Sequence, residues 1–194
     1  MKVWAYIHPD LDILCCALLY ESVPQGVEAI ELEVDSPDDV IYDNGVIRLK
    51  TAEEKQEEMR KRKIEEIQQE VRMYLQKIES MYLSKYTEGE RLSFDAKVEE
   101  AKIILSGENL PTPILDNEIE IQYGQQPNEQ LRIQKANEIM QKRQIYTILT
   151  GRIAGVRKYI ESNLLDLSIE ELTNFNVRDY IISVFSGIVG TEKI

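Results

Sequence analysis

"VIYDNGVIRLKTAEEKQEEMRKRKIEE", residues 40–66, contains the change on which the fold turns. Up to Leu49 it reads as a hairpin. Two β-branched runs flank Asn44-Gly45, the pair that a tight turn with positive φ favours. From Thr51 the alternation stops, and Glu, Lys, Arg and Gln take over with no Gly or Pro. That is helix composition.

Upstream of the hairpin the pattern is also β. "KVWAYI" is a strand, "PDLD" a turn, "ILCCALLY" a second strand, and "VEAIELEV" alternates apolar and acidic residues with a period of two. About five short strands are predicted over residues 1–50. Downstream, Ile64, Ile67, Val71, Tyr74, Ile78 and Met81 recur at spacings of three and four, a heptad seam. Residues 51–63 carry charge without that seam and are expected to be a solvated helical lead-in. The fold class is therefore α+β, with a small antiparallel β module followed by a larger helical hairpin or bundle. The expected division is 1–50, 51–63, a helical domain over 64–176, and an apolar tail over 177–194.

Within the helical part, Ser93 is read as an N-cap, with Asp95 in the first turn and Gly107 at the stop. Phe94, Val98, Ala101, Ile104 and Leu105 make its apolar face. "NLPTPIL" is expected to be extended, since each proline disfavours helix in the residue before it. A long helix is predicted from Asn128 to Asn163. Gly151 and Gly155 lie four apart in it, and each costs roughly 1 kcal/mol of helix propensity. The expectation is that another helix approaches closely there. Ser168-Ile-Glu-Glu171 is a capping box for a short helix.

Composition narrows the function classes. The chain has 194 residues, a net charge of -12 and 43% hydrophobic residues, enough for a packed core but poorly suited to binding phosphates. It has no apolar run of ~20 residues, so no membrane insertion is expected. "MKVWAYIHPD" has no signal-peptide h-region. Cys15 and Cys16 are adjacent in a strand, point to opposite faces and are read as free thiols. His8 is the only histidine, so a Ser-His-Asp triad and a Cys/His zinc cluster are not expected, and neither G-x-x-x-x-G-K nor G-x-G-x-x-G occurs. Asp35, Asp38, Asp39 and Asp43 flank turns and lack the spacing of a calcium loop. The sequence thus predicts no catalytic residue, cofactor or metal.

Four stretches in order, "LSFDAKVEEAK", "PTPILD", "LTGRIAGVRKYI" and "SIEEL", carry a resemblance. Over residues 64–173 the chain resembles small tail-associated proteins of tailed phages and prophages. In that family an "EA"-rich helix precedes a "TPLLD"-like segment. A long helix with a "G-x-x-x-G-R"-like stretch then leads to a Thr/Ser-x-E-E-L box. The family often has Trp and Gln where this chain has Phe94 and Lys97. The resemblance implies a non-enzymatic structural protein of the tail or tail fibre, or an assembly chaperone for the fibre. Its implied partners are other tail or fibre proteins and further copies of itself, and its implied location is the virion tail, assembled in the host cytoplasm. The candidate interfaces are the seam (Ile64, Ile67, Val71, Tyr74, Ile78, Met81), which can pack within the chain or against a second copy, and the tail, with Ile181, Ile182, Val184 and Phe185, which is either docked or a surface for a partner.

Overall fold

Asn44 and Gly45 both take positive φ, at 50° and 86°, and turn strand β4 (Val40–Asp43) into β5 (Val46–Leu49) with Asp43 opposite Val46. In this computed structural model, which describes residues 1–188, the chain divides into two compact units, Met1–Lys63 and Ile64 onward. The first unit contains the hairpin and a three-stranded antiparallel sheet. There β1 (Lys2–Ile7) lies between β2 (Leu14–Ala17) and β3 (Ile30–Glu33). Val3, Ala5, Val34 and Val40 form its small core. The fold is α+β, and the mostly helical part follows.

Helix α1 runs Ala52–Leu83. Thr51 starts it: its hydroxyl accepts from the Glu54 N–H, and the Glu54 carboxylate accepts from the Thr51 N–H. Arg48 on β5 donates to Glu54 and to Asp43, all at 2.8 Å, so the charged lead-in is paired to the hairpin. These contacts hold Glu54 at a pKa of about 2, through the Arg48 guanidinium first and the Thr51 N–H second.

In the second unit, α2 spans Glu88–Ser106 and is capped by Thr87 with Glu90, not by Ser93. The Ser93 hydroxyl donates back to the Gly89 and Glu90 carbonyls, one turn inside the helix. "TEGE" is itself a capping box, so these residues form the first turn. Gly107 ends the helix at φ 74°, as its place in the sequence predicts. The proline segment also departs from expectation. Pro113 occupies the first turn of α3 (Pro113–Tyr123), where its missing N–H has no helical partner to lose. Only "NLPT" of that segment lies outside a helix, and the polar "NEIEIQY" continues α3.

Helix α4 (Glu129–Asn163) is capped by Asn128, whose side chain accepts from the Leu131 N–H at 3.0 Å. Ile145 and Ile148 on it are exposed, as is Leu105, which the sequence placed on the apolar face of α2. Gly151 and Gly155 are exposed too, and a Cβ at either would meet nothing within 4 Å. The close helix approach expected there is absent. Helix α5 (Ile169–Asn174) carries the Ser168/Glu171 capping box. Helix α6 (Val177–Phe185) follows, so the start of the apolar tail is helix; residues 189–194 of that tail lie outside the described residues.

Two clusters hold this unit. The larger joins Ile64, Ile67, Val71, Leu75, Ile78 and Tyr82 of α1 to Leu149, Ile153, Val156 and Ile160 of α4, and takes in Leu164, Leu172, Val177, Ile181 and Phe185. The smaller joins Val98 and Ala101 of α2 to Leu115 of α3 and to Ala136 and Ile139 of α4.

Candidate functional site

Phe94, Val98 and Ala101 set the buried face of α2, and two charged residues share it. Lys97 is three residues after Phe94 and four before Ala101. Glu100 is three after Lys97 and four before Ile104. Both are buried. A buried charge is costly unless paired and hydrogen-bonded, and each has found partners on the next helix.

Glu100 reaches the N-terminus of α3. Its Oε2 accepts from the Leu115 N–H at 2.8 Å and its Oε1 from the Ile114 N–H at 3.1 Å. Helix N-termini present unpaired N–H groups and partial positive charge, so a carboxylate fits both needs. The Thr112 hydroxyl donates to Asp116 at 3.3 Å, and Arg132 of α4 grips that carboxylate through Nε and Nη2 at 2.7 and 2.8 Å. The "PTPILD" segment is thus locked from both sides, by Glu100 of α2 and Arg132 of α4.

Lys97 forms an ion pair with Glu118 of α3. Lys135, buried on α4, lies 3.3 Å from the same carboxylate and donates to Gln122 at 2.9 Å. Burial alone would raise the Glu118 pKa, but Lys97 and then Lys135 outweigh it and hold the group below its ordinary value. One carboxylate therefore serves two buried ammoniums, and one positive charge is left over.

That charge lies in the wall of a cleft of about 580 Å³ between α1, α2, α3 and α4. Tyr82, Tyr86, Phe94 and Tyr146 supply its aromatic side. Tyr82 stacks on Tyr146 with ring centroids 5.8 Å apart and packs on Tyr86 at 5.7 Å. The Tyr82 hydroxyl donates to the Lys142 carbonyl at 3.3 Å, and burial, then the neighbouring Tyr86, pushes its pKa well up. Lys142 in turn sits over the Tyr86 ring at 5.7 Å. At the lip, Arg143 pairs with Asp95 at 3.3 Å.

None of these residues was singled out from the sequence as a site. The signal was present, since Lys97, Glu100 and Lys135 stand at apolar spacings within amphipathic helices. The residues that were singled out lie elsewhere. Ile64, Ile67, Val71, Ile78, Ile181 and Phe185 belong to the larger core cluster, while Tyr74, Met81, Ile182 and Val184 are half-buried against it. The seam and the tail belong to one cluster within the chain, which is the intrachain packing open to the seam. Leu75 and Tyr82, not Tyr74 and Met81, complete the buried line of α1, because 3.6 residues per turn drifts off a strict heptad over this length. Arg152 of α4 also donates to the Val184 carbonyl at the end of α6. Gly151 and Gly155 pack against nothing. Among the described residues no His/Cys/Asp/Glu group could hold a metal ion, and no helix is long and apolar enough to cross a membrane.

Compared with known proteins, the chain matches no family model, no curated protein and no solved structure.

Proposed function

We propose that this is a non-enzymatic, tail-associated structural protein of a tailed phage or prophage, which connects part of the tail or tail fibre. The observation that carries the reading is the joint behaviour of the stretches behind the resemblance. "LSFDAKVEEAK" and "PTPILD" meet through Glu100 at the start of α3, and Val98, Ala101 and Leu115 share one cluster. "LTGRIAGVRKYI" and "SIEEL" supply Leu149, Ile153, Val156, Ile160 and Leu172 to the other. Stretches that resemble a family in sequence order thus contribute to both clusters of the helical unit, beside α1 and α6. Fold-level likeness alone is an associational warrant for function, so the test lies in the particle.

Self-association is not part of this reading, because the seam and α6 are used within the chain. The partners are other tail or fibre proteins. A second reading, a tail-fibre assembly chaperone, gains from the open aromatic cleft, a surface able to hold a client. Mass spectrometry of gradient-purified particles separates the two. The structural reading expects the protein at a fixed ratio to known tail proteins. The chaperone reading expects it in the lysate and absent from particles. Absence from particles, with fibres assembling normally in its absence, contradicts both.

A further inference from the structure

The cleft in the helical unit has a charge opposite to that of the chain. Net charge over the whole sequence is -12. Yet the cleft is lined by five cationic side chains, Arg91, Lys97, Lys135, Lys142 and Arg143, against the carboxylates of Glu90, Asp95 and Glu118. Glu118 is shared by two lysines, while Glu90 accepts from the Thr87 cap, keeps its charge and lies within reach of Lys97 and Lys142. Asp95 is shared with Arg143 at the exposed lip. Arg91 is exposed at the same lip, and Lys142 is held over the Tyr86 ring. The aromatic side offers Tyr86, Phe94 and Tyr146, all half-buried, with Tyr82 behind them. Ile121 stands at the edge with 85% of its surface in water.

We infer that this cleft is a binding site for a short acidic peptide segment carrying an aromatic anchor, presented by a partner protein. At about 580 Å³ it falls within the ~300–1,000 Å³ range of ligand sites. An aromatic side chain entering between Tyr86, Phe94 and Tyr146 gains ring–ring contact and a cationic neighbour in Lys142. Flanking carboxylates meet Arg91, Arg143 and the surplus charge of the Lys97–Glu118–Lys135 group. A polyanion such as single-stranded nucleic acid fits less well: it extends beyond the cleft, where the acidic chain repels a further line of phosphates. The inference stands on the cleft alone and does not depend on the tail assignment.

The test is fluorescence anisotropy on the full chain with a labelled synthetic peptide, Asp-Glu-Phe-Glu-Asp. Saturable binding is expected, weakened by added salt and by replacing Phe with Ser in the peptide. The double variant Arg91→Glu/Lys142→Glu should weaken it about tenfold or more, through loss and reversal of rim charge contacts, with an unchanged thermal melt. If that variant melts lower than the parent, Arg91→Gln at the exposed lip takes its place, with weaker binding again expected. No saturation by millimolar protein overturns the inference. So does equal binding of the Ser peptide, or binding indifferent to the cleft variants. Displacement of the peptide by an equimolar single-stranded oligonucleotide also overturns it, in favour of a nucleic-acid site.

Discussion

Removing the Glu100 carboxylate should unfasten α3 from α2. Glu100 is buried, and it accepts from two N–H groups at the N-terminus of α3. Hydrogen bonds to a charged partner contribute roughly 1.5–3 kcal/mol each, and a buried donor left without a partner costs about 1–3 kcal/mol. The two donors are not equivalent. Leu115 is fully buried, so water cannot readily replace Glu100 there, whereas Ile114 is half-buried and its N–H can turn to solvent. The full effect is therefore expected at one donor and a partial effect at the other. Glu100→Ala should cost roughly 2–4 kcal/mol. Glu100→Gln keeps one acceptor oxygen and loses the charge, and should cost about half as much. Urea denaturation followed by far-ultraviolet circular dichroism gives both values, provided m is unchanged. Amide exchange at Leu115 provides a local readout, with faster exchange in the Ala variant. If Glu100→Ala lies within ~0.5 kcal/mol of the parent, the carboxylate is not what holds the start of α3, and the coupling of the two stretches is lost.

Three further outcomes follow from the same structure. Gly155→Ala should stabilise by up to about 1 kcal/mol, since the site is helical and open; a loss of stability in the thermal melt would restore the close-packing reading. Phe185→Ala should cost roughly 3–5 kcal/mol by urea melt, because the ring is fully buried in the larger cluster; a cost below about 1 kcal/mol would mean that α6 is not docked. The Glu118 pKa is lowered in the folded state, so its contribution is complete above the ordinary carboxylate value of 4.5 and is lost as pH falls through the folded value. Glu118→Gln should lower stability at neutral pH and flatten the acid limb of a pH–stability curve, and an unchanged acid limb would contradict the assignment.

The sequence revealed a good part of this fold, for local reasons. The Asn44-Gly45 turn, the composition break at Thr51, the Gly107 stop and the Ser168/Glu171 box are all signals within a few residues of what they control. The misses have two sources. One is a competing local signal of the same kind, as where Thr87/Glu90 capped α2 ahead of Ser93 and Pro113 opened a helix instead of blocking one. The other is tertiary. Whether an apolar seam meets its own chain or another copy is not written in its period, and small residues at 151 and 155 read alike whether packed or exposed. The cleft was missed because its charges come from three helices and gain meaning only when Lys97, Glu118 and Lys135 are brought together.

The proposed role in the tail would have the gene carried by a tailed phage or prophage. Deleting the gene there and imaging the particles by negative-stain electron microscopy is the decisive measurement. Either form of the account predicts particles with missing or malformed tails or fibres, restored by the gene supplied in trans. Full-length, fibre-bearing particles of undiminished infectivity would contradict it.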